Sequence, residues 1–194
     1  MVSHAERSAA TVLAIVQTAR KEFTEKGFAD TNMDEVAQAS GVAKGAIYHH
    51  FRSKEALFRH VLESVQEELA ALHVAKVPDS ATPLDQIMAA VLQYLIESSH
   101  PLRRRILLID GPAVIGWQAW REIDYRFFGA GARAGMEMLL AKNATAARVT
   151  AATHLLMGAV TEAALVCATH PDPKRQAREI CHGLRMMLSG LAPI

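Results

Sequence analysis

The residues able to do chemistry are unevenly spread along this chain. Residues 41–60 carry four cations, Lys44, Arg52, Lys54 and Arg59, against one acid, Glu55, a local charge of +3 in a 194-residue chain whose formal net charge is +1; His49, His50 and His60 lie in the same stretch. Cations concentrated in one short segment suit a polyanion, because each can pair with one phosphate. A second grouping, Cys167-x-x-His170 with Cys181-His182, has the residue types of a metal site. Its spacing is wrong for one. If the chain turns back near residue 171, Cys181 faces a residue near 161, several helical rises of about 1.5 Å from Cys167. The thiols read as ordinary buried cysteines, reduced in an intracellular setting. No nucleophile elbow, phosphate-binding glycine loop or paired catalytic carboxylates stand out, so the reading is no metal, no cofactor and no enzyme.

The elements that must position these groups are helices. The chain is 51% apolar, 6% aromatic and 21% charged, with 11 Gly and 7 Pro, and no period-2 alternation long enough for a sheet; the fold class is all-α. Apolar runs such as that around Leu155–Met157 are broken well short of about 20 residues, which argues against a membrane span, and the N-terminus lacks the layout of a secretory signal; the expected location is the cytoplasm. Val12, Val16, Ala19 and Phe23 predict a helix over 5–26, ended by Gly27. Asn32 caps the next, with Glu35 placed to return the hydrogen bond. Ser40-Gly41 stops it, and 43–50 forms another short helix. Ser53 then caps a long helix whose Phe58, Leu62, Val65, Leu69 and Leu72 run to about Ala75. Val77–Ser80 reads as a linker and Thr82-Pro83 as a helix start, with further helices at about 83–99, 101–109, 116–141, 145–169 and 173–190. The division is a small helical domain at 1–53, a connecting helix and linker at 54–78, and a larger helical domain at 79–194.

Between Met33 and Phe51 two short helices flank a glycine turn. Val36, Ala37, Val42, Ile47 and Phe51 supply a small core, while Lys44, Gly45, Tyr48 and His49 point outward, as in a helix-turn-helix. Such pairs also occur in proteins that never touch nucleic acid; the local +3 charge favours DNA. The run Ala39-Ser40-Gly41-Val42-Ala43-Lys44-Gly45-Ala46-Ile47-Tyr48-His49-His50-Phe51-Arg52-Ser53-Lys54-Glu55-Ala56-Leu57, with Ile15, Val16, Ala19, Phe23, Gly27 and Phe28 before it, resembles the DNA-binding domain of TetR-type transcriptional repressors. The likeness covers the first third of the chain. It implies roles that have physical reasons: Thr31 and Asn32 at a helix start hold a phosphate; Lys44 and Gly45 open the recognition helix, a long cation beside a residue that permits close approach; Tyr48, His49 and His50 touch the sugar-phosphate backbone; and Lys54 anchors a phosphate. Ala43, with Ala46, stands where Ser and Thr are commoner, which shifts base reading toward apolar contact with a thymine methyl. Tyr48 merely packing and His50 merely capping are the bland alternatives.

The second domain matches that family only in the number and length of its helices. Trp117, Trp120, Tyr125, Phe127 and Phe128 cluster in one helix with Arg121, and an apolar cavity with one or two polar groups is what a small-molecule site needs. The expected wall is Tyr94, Trp117, Arg121, Tyr125, Phe128, His154 and Met157, with Arg121 or His154 supplying the polar contact; ordinary core packing is the alternative. Partners follow: double-stranded operator DNA, a small apolar effector, no membrane, and a second copy joined through the last two helices by Ala152, Ala159, Ala163 and Ala164 on one and Ile180, Leu184, Met187 and Leu188 on the other. The competing readings are a helical protein–protein adaptor, which would need an exposed apolar stripe without a basic face, and a helical-bundle enzyme.

Overall fold

The structure is a computed structural model describing residues 4–74, 82–141 and 144–191. The linker expected at Val77–Ser80 and the break at Lys142-Asn143 lie outside the described residues. All regular elements among them are helical: α1 His4–Glu25, α2 Met33–Ala39, α3 Lys44–His50, α4 Lys54–Val74, α5 Pro83–Ser98, α6 Pro101–Arg104, a π-helical turn Arg105–Asp110, α7 Gly111–Ile115, α8 Trp117–Leu140, α9 Ala146–Thr169 and α10 Pro173–Ser189. The single helix expected at 101–109 is thus a short α-helix running into a π-turn.

Local chemistry accounts for the boundaries. Asn32 accepts from the Asp34 amide at 2.8 Å to start α2, Ser53 from that of Ala56 at 3.1 Å to start α4, and Thr82 from that of Asp85 at 3.2 Å to start α5. Glu35 does not close the expected capping box; its carboxylate takes a hydrogen bond from Lys26 at 2.9 Å. Gly27 and Gly41 end their helices at φ of 86° and 71°, a region where a side chain would strain the backbone.

The chain forms two compact units, Met1–Val65 with Pro101–Ala119, and Gln66–His100 with Trp120–Ile194. The stretch from Pro101 to Ala119, placed by the sequence reading with the second domain, therefore packs with the first unit, and α4 and α8 each give residues to both. In the first unit Ile15, Ala19, Phe23, Val36, Ile47, Leu57, Phe58 and Val61 are buried, Val42 only half so. In the second, α5, α9 and α10 pack on one another. Of the residues expected to face a second copy, Ala163, Ala164, Leu184 and Leu188 are buried inside this unit, while Ala152, Ala159, Ile180 and Met187 are half-buried or exposed; Leu155, outside that set, is 75% exposed. Helix α9 is also, by length and composition, long and apolar enough to cross a membrane, with a mean hydropathy of 1.5. That corrects the expectation that no segment would be. Its inner face, however, buries Thr153 and Thr161 beside Leu156 and Met157.

Candidate nucleic-acid interface and effector cavity

The first unit presents α3 on a rigid corner. Phe23, Phe28 and Phe58 close on one another with ring centroids 5.1 to 6.0 Å apart. Arg105 donates to the Glu25 carbonyl at 3.1 Å and its guanidinium lies so close over Gly27 that a Cβ there would collide with it. Asp110 accepts from the Phe28 amide at 2.9 Å. The turn between α1 and α2 is thereby fixed from two sides.

Along α3, Lys44, Gly45, Tyr48 and His49 are exposed and Ile47 is buried, the division expected of a recognition helix. Tyr48 is 43% exposed, so its ring is not a core group. His50 is half-buried, its ring 5.3 Å from that of His49; Ala43 is exposed at the N-cap of α3 without a side-chain capping bond. Lys44 Nζ donates to Asp34 Oδ2 at 2.6 Å, and that carboxylate raises the lysine's pKa. Asn32, Tyr48 and Lys54 border one surface depression with Ala29, Asp30 and Thr31.

Two residues there are engaged otherwise than expected. Thr31 is buried and its hydroxyl donates to the Gly27 carbonyl at 2.7 Å, which ties down the group assigned to a phosphate. Lys54 donates to the carbonyls of Phe28, Ala29 and Thr31 at 2.8, 3.1 and 3.0 Å, and its ammonium stands 4.5 Å from the Phe28 ring centre. All three ammonium protons point at carbonyls, so the side chain gathers the α1–α2 loop onto the start of α4.

The second unit contains a cavity of about 330 Å³, at the lower end of the range that holds small ligands. Tyr94, Phe128 and Met157 line it as expected, together with Ile87, Val91, Asp124 and Phe127. Trp117, Arg121, Tyr125 and His154 do not line it. Trp117 opens α8 in the other unit and is 54% exposed. Arg121 donates to Thr161 Oγ1 at 2.8 Å and to the Met157 carbonyl at 3.5 Å. Tyr125 and His154 stack on each other at 5.8 Å on the exposed side, and His154 Nδ1 lies 2.8 Å from the Thr150 carbonyl.

Asp124 is the polar group the sequence reading missed. It is 2% exposed, and its Oδ1 accepts from the Tyr94 hydroxyl at 3.1 Å and from Gln66 Nε2 at 3.4 Å. Burial pushes its carboxyl above the ordinary range, opposed by those two bonds and by the Arg121 charge; burial likewise raises Tyr94 and keeps it a donor. A signal existed: Trp120, Asp124, Phe127, Phe128 and Gly131 fall on one helical stripe, with a carboxylate inside it.

Cys167 and Cys181 are free and buried, and burial raises both thiols, Cys181 to about 11. His170 Nδ1 accepts from the Asp172 amide at 3.0 Å. No three potential metal ligands gather among the described residues.

Comparison with known proteins agrees with this arrangement. Residues 15–61 match the family model of bacterial regulatory proteins, tetR family, and residues 84–191 that of the tetracyclin repressor-like C-terminal domain. The transcriptional regulator AcrR of Shigella flexneri is 33% identical over 99 residues, 50% of this chain; the chain spans 45% of that relative's length. The TetC protein of transposon Tn10 from Escherichia coli is 26% identical over 140 residues, 71% of this chain and 70% of its own. A solved TetR-family transcriptional regulator from Pectobacterium atrosepticum superposes with a TM-score of 0.76 at 28% identity, covering 99% of this chain and 98% of its own. One family model thus spans the helix-turn-helix and the other more than half of the sequence, and the chain belongs to the TetR family.

Proposed function

We propose that this chain is a homodimeric, effector-responsive repressor that reads a pseudo-palindromic operator with α3 and is released from it by a small molecule held in the cavity of the second unit. The observation that carries the reading is the exposed row of Lys44, Gly45, Tyr48 and His49 on a helix-turn-helix whose inner residues are buried. Ala43 and Lys44 face base edges, Tyr48, His49 and His50 the backbone, and Asn32 a phosphate at the start of α2. Thr31 and Lys54 act by shaping the loop that carries Asn32. Work on DNA places the protein in the cytoplasm.

The second copy joins through the exposed face of α9 and α10. Leu155, Ala159, Glu162 and Val166 form one stripe on α9, and Ile180, Gly183, Met187 and Leu191 another on and just past α10, all half-buried or exposed in the single chain. Closing such stripes against their copies gives a four-helix bundle, and explains why α9 is apolar on both sides. Helix α4 begins at Lys54 and contributes Ala70 to the cavity wall, which supports it as the element both ligands bias. An effector that lowers operator affinity must favour another dimer geometry, and operator must weaken effector binding by the same factor, typically about 5–150-fold.

The test is selection of bound duplexes from a random pool followed by titration of the selected site. Two half-sites about 34–36 Å apart, or a multiple of that for two dimers, are expected, with affinity falling steeply in salt. Failure to select any duplex, or a monomeric sedimentation profile at micromolar concentration, overturns the reading.

A further inference from the structure

The charged group at the cavity wall is an acceptor, Asp124. Among the described residues lining it there is no Lys, Arg or His, and Asp124 is its carboxylate. Both bonds that Asp124 receives end on Oδ1; Oδ2 takes neither. Gln66, the donor of one of them, is fully buried, and its Oε1 has no hydrogen-bond partner among the described residues. Asp124 Oδ2 therefore keeps acceptor capacity at the cavity wall, and Gln66 Oε1, on a residue bonded to Asp124 but outside the lining, has its capacity unfilled away from water, where such a deficit is costly. The aromatic faces of Tyr94, Phe127 and Phe128 in the same lining favour an apolar body and tolerate a cation.

Resting on the reading of the chain as an effector-responsive regulator, the geometry points to an effector with an apolar body and a single hydrogen-bond-donating head, an amine or a hydroxyl, seated on Asp124, and to exclusion of molecules headed by a carboxylate or phosphate. The sequence reading gave the polar contact to Arg121 or His154, both basic side chains, with His154 lying outside the cavity lining. The guanidinium is instead engaged by Thr161 and Met157 and leaves the acidic group to face the cavity. The raised pKa of Asp124 has the same sense: a buried carboxyl that gains from taking up a proton gains also from a donor supplied by a ligand.

Three probes on one scaffold test this by calorimetry with the intact dimer: 4-phenylbutan-1-amine, 4-phenylbutan-1-ol and 4-phenylbutanoate. The amine and the alcohol are expected to bind at least about tenfold more tightly than the carboxylate, and Asp124→Asn to weaken the amine by about tenfold or more while the alcohol changes less, because the amide oxygen still accepts. The ranking in the unmutated protein stands even where the variant fails to fold. Equal or tighter binding of the carboxylate, binding of none of the three, or an amine affinity unchanged in Asp124→Asn overturns the proposal. Operator binding by the same protein is titrated separately, so loss of the donor-headed effector leaves the regulator reading intact, and loss of operator binding leaves the probe ranking intact.

Discussion

Two aromatic clusters in this protein have opposite fates. Phe23, Phe28 and Phe58 fill their own centre, ring against ring, with Lys54 closing one side. Tyr94 and Phe128 also meet edge to face, at 5.1 Å, yet with Phe127 they stand around about 330 Å³ of open volume. A recognition helix must be held at a fixed position, and close packing denies it alternatives. A ligand site must keep room, and the protein forgoes dispersion contacts to do so. The difference predicts unequal sensitivity to truncation. Phe58→Ala is expected to cost about 3–5 kcal/mol and to abolish operator binding near the unfolding midpoint. Phe128→Ala enlarges a space that already exists, and about 2 kcal/mol or less is expected by comparison with a filled core. Urea unfolding of both variants measures this; equal losses would mean that the cavity is as tightly supported as the corner.

Next in size is the recognition helix that the closed corner supports. Lys44→Ala and Tyr48→Ala are each expected to weaken operator binding roughly 5- to 150-fold with the unfolding midpoint nearly unchanged, since both side chains are exposed. Operator titration beside thermal melting separates affinity from stability. A matching drop in stability would move Tyr48 into the core.

Lys54 tests whether the corner is closed by the cation itself. Lys54→Ala leaves three carbonyls to find other partners, and a stability loss of about 1–3 kcal/mol is expected, with weaker operator binding whose salt dependence keeps its slope. A phosphate anchor would behave otherwise: stability would hold and the slope would drop by about one.

The legibility of the two regions differs for the same physical reason. Around α2 and α3 the determinants are local: Asn32 and Ser53 cap within three residues, Gly41 takes the left-handed turn, and the alternation of Ile47 with Lys44 and Tyr48 is fixed by one helical turn. Sequence therefore located the exposed row. It did not foresee the partners of Thr31 and Lys54, which are backbone carbonyls that no side-chain pattern announces. In the second unit the helices were placed to within a few residues, but which face turns inward depends on how α4, α5, α8 and α9 are set against each other. Aromatic clustering put Trp117, Tyr125 and Phe128 on one wall, although Tyr125 points about 100° around α8 from Asp124 and Trp117, on the stripe by spacing, belongs to the other unit. Individual positions of the expected dimer face went the same way: Ala163 and Leu184 have the composition of an interface and serve the subunit's own core.

The open cavity also makes a pH prediction. Because the folded pKa of Asp124 lies above its ordinary value, the native state retains a proton that the unfolded chain has already released in the interval between the two. Stability from this group is therefore lost as pH rises from about 3.9 toward the folded pKa, with Tyr94 and Arg121 the neighbouring groups that limit the shift. Asp124→Asn removes this loss. Its stability relative to the unmutated protein is expected to rise with pH across that interval and then level off, measured by urea unfolding at several pH values; a difference constant with pH would place the carboxyl in contact with water.

The smallest expected effect concerns the ion pair between Lys44 and Asp34. Asp34 holds its ammonium at 2.6 Å while both side chains remain exposed, at 68% and 48%, and exposed pairs of this kind are weak and screened. DNA must compete with Asp34 for the same cation. Asp34→Asn is therefore expected to tighten operator binding roughly two- to fivefold, in proportion to a surface pair, while Asn32 still caps α2 through the backbone amide at position 34. Removing any acid near a phosphate backbone would also tighten binding, so the gain alone decides nothing. The double-mutant cycle with Lys44→Ala does. If Asp34 acts by restraining Lys44, the gain from Asp34→Asn disappears once Lys44 is gone; if it acts by general repulsion of DNA, the gain persists at full size, and the ion pair has no part in operator affinity.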